Sequence, residues 1–284
     1  RRKGPRMGKS AANAEKKPRA AKGADKKEKV PALTYWQQTR LPVYSLAFVL
    51  PMVLFYEVGV ILVNRSVRAT HGYMVYNASD WLIRRLMESF LTTVGLGSFF
   101  MSGVLIAVVL VVWQVASRRP WTVKASTLCG MLLESSILAL VLPILVYYLI
   151  EPMLPATIET GPAFARSALF ANVVMSFGAG VYEEFIFRLV LVGLVTVVLN
   201  AFTGLNWRVS ALSAVVLGAV IFAAAHHVGE FAEDATWPVF LFRVGSGLFF
   251  GVIYYFRGFG IAAGSHALYD VVYFVFLAGE GASG

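Results

Sequence analysis

Apolar runs close to the ~20 residues that a helix needs to cross a bilayer recur along this chain. They predict spans at about 43–63, 97–116, 130–150, 168–199, 208–228, 238–256 and 259–278. All are read as helices, because a lone helix satisfies its own backbone in lipid and the short apolar/polar alternation of a membrane barrel is missing. The expected fold class is therefore all-α, a polytopic transmembrane helix bundle of about seven spans with its chemistry in the last four. The fourth run is longer than one perpendicular crossing, which predicts either tilt or an interfacial start near Gly161-Pro162. Between the first two spans, Asp80-Trp81-Leu82-Ile83-Arg84-Arg85-Leu86-Met87 reads as a capped amphipathic helix in a loop along the membrane surface.

Composition agrees with this pattern: hydrophobic residues make up 58% of the chain and charged residues 14%. The net charge of +9 comes from one place, since residues 1–30 hold 12 Lys and Arg against three acids. Residues 1–39 are expected to form a basic, disordered arm held in the cytoplasm, and 40–284 a single transmembrane domain. Nucleic-acid binding is the weaker reading of the arm, because no aromatic residue interrupts its charges. The apolar run after the arm has full span length and no small-residue cleavage site directly after it, so the arm is expected to stay attached. With the arm inside, Arg118, Arg119, Lys124, Arg208 and Arg257 fall inside and Glu230, Glu233 and Asp234 outside, whereas Arg65, Arg68, Arg84 and Arg85 run against the rule. The expected location is an integral membrane position in a bacterial inner membrane. A single cysteine, Cys129, excludes an intrachain disulfide and a cysteine-based zinc site.

Ionisable residues inside the apolar runs change the picture from scaffold to active site. Glu183, Glu184 and Arg188 lie among Phe185-Ile186-Phe187 and Leu189-Val190-Leu191, where each charge costs roughly 2.5–3.5 kcal/mol on insertion scales. Four-residue spacing puts Glu184 and Arg188 on one helix face as a charge pair. An α-helical turn of about 100° then directs Glu183 elsewhere, as a ligand or general base. The alternative is one buried ionic cluster that staples helices together. His226 follows Phe222 by one turn, and of His226 and His227 one is expected to face the site. His266 and Asp270 share a face, where the aspartate could orient the imidazole, join it on a metal or help bind an oxyanion. Glu183, His226, His266 and Asp270 suit activation of water. Either a Zn2+ ion held by these four lowers the water's pKa, or glutamate and histidine deprotonate it with no cofactor required, and the sequence leaves both open. The glycines at 245, 247, 251 and 258–264 read as helix-packing positions, Arg243 as a span-end residue that snorkels or pairs, and Glu57 and Glu134 as unassigned.

Three motifs in order on successive apolar helices, Glu-Glu-x-x-x-Arg at 183–188, Phe-x-x-x-His at 222–226 and His-x-x-x-Asp at 266–270, resemble the CPBP family of membrane-embedded proteases, which includes CAAX prenyl proteases and bacteriocin-processing enzymes. The resemblance covers roughly residues 165–275. It implies peptide-bond hydrolysis near a membrane-anchored end of a protein or peptide substrate, with Glu183 and His226 activating water and His266 with residue 270 binding the oxyanion. Glu184, Arg188 and Phe222 support them. The family often carries asparagine where this chain has Asp270, and an aspartate favours a metal-ligand or histidine-orienting role. Rival readings are an ion- or proton-coupled transporter, an immunity or scaffold protein with a merely structural polar cluster, and a serine protease built on Ser246 or Ser265.

Overall fold

The computed structural model describes residues 4, 33–71, 77–94, 101–145, 148, 169–229 and 232–274. All of the basic arm but residues 4 and 33–39, and the interfacial start near Gly161-Pro162, lie outside the described residues. Contacts divide the chain into two compact units, Arg1–Ala32 and Leu33–Gly284. Among the described residues the second unit is all-helical: α1 Tyr35–Gln38, α2 Pro42–His71, α3 Ala78–Val94, α4 Met101–Ser117, α5 Ala125–Leu145, α6 Leu169–Gly178, α7 Gly193–Thr203, α8 Trp207–Ala225, α9 Trp237–Arg257 and α10 Phe259–Val272. A π-helical stretch, Ala179–Glu183 and Phe185–Val192, joins α6 to α7. Helix α1 lies within the segment expected to belong to the arm. It is fixed by a Thr34–Gln37 capping box, and Tyr35 donates to Glu134 of α5 at 2.7 Å.

Among the described residues five helices are long and apolar enough to cross a membrane, and α4 is a shorter apolar helix. Their outward faces carry exposed Leu54, Val58, Leu133, Ile137 and Val216, side chains whose natural solvent is lipid. The fourth expected span is one helix of 35 residues, Leu169–Thr203, about 50 Å long at α-helical rise and so well beyond a ~30 Å core. The seventh is described as the 14-residue α10, nearly all of it buried against α2, α5, α6 and α9. A positive φ of 89° at Gly258, which a side chain would strain, turns the chain from α9 directly into α10. Close approach at Gly180 then sets α10 against the π-helical stretch, since a Cβ there would lie 2.5 Å from Ala267 Cβ.

Helix α3 corrects the loop-helix expectation. Its cap is Asn77, not Asp80: Asn77 Oδ1 accepts from the backbone of Ser79 and Asp80 at 2.9 and 3.4 Å. Trp81, Leu82 and Leu86 are exposed as the amphipathic pattern requires, but Asp80 is fully buried and Arg84 turns inward. Arg84 bridges Asp80 at 2.7 Å and Glu57 of α2 at 2.9 Å, and Arg85 pairs with Glu88 at 2.6 Å. Two arginines that run against the charge rule are thus neutralised within the fold.

Candidate active site

Glu183 comes from the π-helical stretch, His226 from the C-terminal end of α8, and His266 and Asp270 from α10. The structure brings all four together. Glu183 Oε2 lies 3.9 Å from His226 Nε2 and 4.0 Å from His266 Nε2, and His266 Nε2 lies 3.7 Å from Asp270 Oδ2. The side chains of Glu183, His226 and Asp270 are 13, 18 and 13% exposed, so each is mostly, but not fully, enclosed among apolar helices.

Local folding fixes the tautomer of His226. His226 ends α8, and its Nδ1 lies 2.8 Å from the Phe222 carbonyl, which only accepts. Nδ1 therefore carries the proton, and the Nε2 lone pair faces Glu183. Phe222 is buried between its partners, with its ring 4.5 Å from the His226 ring and the Arg188 guanidinium 4.5 Å above it. His227, the neighbour, turns its Nδ1 to the Glu233 carbonyl at 3.2 Å instead.

At His266 the four-residue spacing does bring Asp270 to the ring, and of the roles left open for it the geometry disfavours that of orienting Nδ1. Asp270 lies on the Nε2 side, whereas Nδ1 is held at 2.8 Å by Glu184 from another helix. Glu184 is fully buried, accepts from His266 and pairs with Arg188 at 3.1 Å, while Arg188 also donates to the Gly247 carbonyl at 3.3 Å. The group that orients His266 is therefore Glu184. The Phe250 ring stacks on the imidazole at 4.4 Å and 12°, which closes its other freedom. The glycine at 247 serves packing, since a Cβ would meet Ala219 Cα at 2.9 Å.

Three neighbours lay outside the sequence reading of the site. Asn77 Nδ2 donates to Glu183 Oε1 at 3.3 Å. Its sequence signal, Asn77-Ala78-Ser79, resembles a glycosylation acceptor and points elsewhere. Phe250 gives no signal that separates it from other core aromatics. Arg243 pairs bidentately with Glu233, its Nε donating at 2.9 Å, and its charge bears on Glu183, His226 and Asp270. Glu134 belongs to a different cluster, with Arg257 and Tyr35. Ser246 and Ser265 each donate to a carbonyl of their own helix, at 2.9 and 2.7 Å, an arrangement of structural hydroxyls and not of nucleophiles.

Zinc donors sit ~2.0–2.2 Å from the metal, which places tetrahedral donors about 3.3 Å apart. The site atoms are 3.7–4.0 Å apart, and among the described residues no group of three or more His, Cys, Asp and Glu is arranged to hold a metal ion. The donor set does not fit zinc as it stands. Hydrogen bonds of ~2.8 Å from one oxygen to two partners do span such gaps, so the arrangement fits a water or a substrate oxygen.

Fold and site together define a class, a helical membrane protein with a cluster of ionisable side chains gathered inside its bundle. Residues 165–272 match the family model described as Rce1-like, type II CAAX prenyl endopeptidase. That stretch is an Rce1-like domain, consistent with the CPBP family of CAAX proteases, and the protein is an integral membrane hydrolase of peptide bonds acting on membrane-associated protein or peptide. No curated protein and no solved structure matches the chain.

Proposed function

We propose that the protein is an endopeptidase that cuts near the membrane-anchored end of its substrate by a side-chain-activated water. The observation that carries this is the convergence of Glu183 Oε2 on the Nε2 atoms of His226 and His266 at 3.9 and 4.0 Å, close enough to share one oxygen and too far apart to bond directly. Water hydrogen-bonded between Glu183 and His226 gives a proton to the carboxylate as its oxygen bonds to the substrate carbonyl carbon. The carbonyl oxygen takes the negative charge, which a protonated His266 receives through Nε2–H, with Asp270 beside it balancing the imidazolium. When the C–N bond breaks, the amine leaves with the proton that Glu183 returns. Glu184, Arg188, Phe222 and Phe250 hold the imidazoles and the helix still.

The family description supports a prenylated C-terminal substrate class, and a site among apolar helices supports any substrate already held by lipid. Basic Arg118, Arg119, Lys124 and Arg208 between spans support an orientation with that face cytoplasmic, as expected for a bacterial inner-membrane protein. The test compares protein termini in membranes of cells that carry wild type or Glu183→Gln at equal abundance. Termini that depend on Glu183 are expected, with cleavage in the variant reduced on the order of 10²–10⁴-fold, the range of general-base catalysis. Identical termini in both would sink the proposal.

A further inference from the structure

Asn77 stands where two networks meet. Its Oδ1 caps α3, and its backbone N–H donates to the Tyr56 hydroxyl at 3.1 Å. Only its side-chain N–H₂ reaches out of this frame, to Glu183 Oε1 at 3.3 Å. The frame itself is buried and cross-braced: Tyr56 donates to Asp80 at 2.8 Å, Arg84 donates to Asp80 at 2.7 Å and to Glu57 at 2.9 Å, and Tyr182 donates to Glu57 at 2.6 Å. Tyr182 is the residue just before Glu183, so α3 braces the acid's backbone and its carboxylate at once.

A carboxylate rotates broadly about its last bond, and either oxygen can turn toward a partner. We propose that Asn77 is a positioning residue of the hydrolytic site, which by holding Oε1 keeps Oε2 turned to the two imidazoles, and that α3 is the element that delivers it. The proposal rests on the reading of Glu183 as the base, and adds to it a residue from outside the matched domain. Misplacing a reacting group by about 1 Å can cost ~10²-fold in rate, so the effect belongs in kcat.

The test uses Asn77→Ser and Asn77→Asp in the full chain, reconstituted in lipid. Both residues cap helices well, which leaves α3 in place, and neither has the amide donor. Each is expected to lower kcat roughly 10–100-fold with KM and the thermal midpoint unchanged. A second readout needs no activity: labelling by a hydrophobic carbodiimide, which modifies protonated carboxyls, mapped by peptide mass spectrometry. Glu183 faces His226, His266, Asn77 and the charge of Arg243, with Asp270 and Glu184 beyond His266; Asn77→Ser alters only the Asn77 contact, and Asn77→Asp adds a carboxylate beside Glu183 that also favours its protonated form. Losing a donor to the carboxylate favours its protonated form, so labelling of Glu183 should rise several-fold while Glu184 and Asp270 stay as in wild type. Wild-type kcat or wild-type labelling in both variants overturns the proposal. Should wild type and Glu183→Gln show equal cleavage, the endopeptidase reading fails instead, and labelling alone still decides the role of Asn77.

Discussion

Glu183 and Glu184 are adjacent acids with opposite surroundings. Glu183 is partly exposed and meets two imidazoles across gaps, whereas Glu184 is fully buried and tied to Arg188 and His266. Removing one partner of a buried pair strands the other, so Arg188→Met is expected to cost roughly 3–5 kcal/mol, read as a lowered unfolding midpoint in detergent. Glu183→Gln, by contrast, should unfold at the wild-type midpoint although it is inactive, and an equal loss in both variants would contradict this division. The Glu184–Arg188 pair was legible because its partners lie one turn apart on one helix. The Nδ1 partner of His266 was not legible for the same reason: spacing points to Asp270 four residues away, while Glu184 lies 82 residues away on another helix. Asn77 was further hidden by a tripeptide that spells a different function.

At the scale of the element, the long helix through the site is α-helical at its ends and π-helical through the motif. Such winding is rare and gathers at functional sites. Glu184 keeps α-helical dihedrals between the two π-helical runs, and composition does not betray those runs, because the same apolar residues suit both windings. Two glycines in this helix make a controlled comparison. Gly180→Ala must push α10 away from Ala267 and is expected to cost ~1–3 kcal/mol and to disrupt activity by separating His266 from Glu184. At Gly193, where a Cβ meets nothing within 4 Å, the same change should be neutral or stabilise by up to about 1 kcal/mol. Thermal unfolding of the two variants checks the contrast, and equal midpoints would count against it. For α3 the sequence showed an amphipathic helix correctly, but not that Asp80 and Arg84 turn inward, since their partner Glu57 sits on α2 and pairing across helices leaves no local pattern.

For the whole molecule, apolar run length was enough to place most of the helices, because lipid requires every spanning segment to satisfy its own backbone. It was not enough to tell a lipid-facing span from α10, which is as apolar as the others yet surrounded by protein. The donor spacing at the site also sets a prediction for the molecule as purified. Full cleavage activity should persist after prolonged chelation and dialysis, with less than one equivalent of zinc per chain by elemental analysis. Loss of activity that zinc restores would show that the four side chains close onto a metal. The enclosed position of α10 has a consequence for biogenesis. Helices α6 to α9 bring Glu183 and His226 into the membrane, but His266 and Asp270 join only when α10 emerges behind them and settles against Gly180. On the proposed roles, a nascent chain would hold Glu183 and His226 before His266 and Asp270 join them, so no cut is expected until α10 has settled into the bundle.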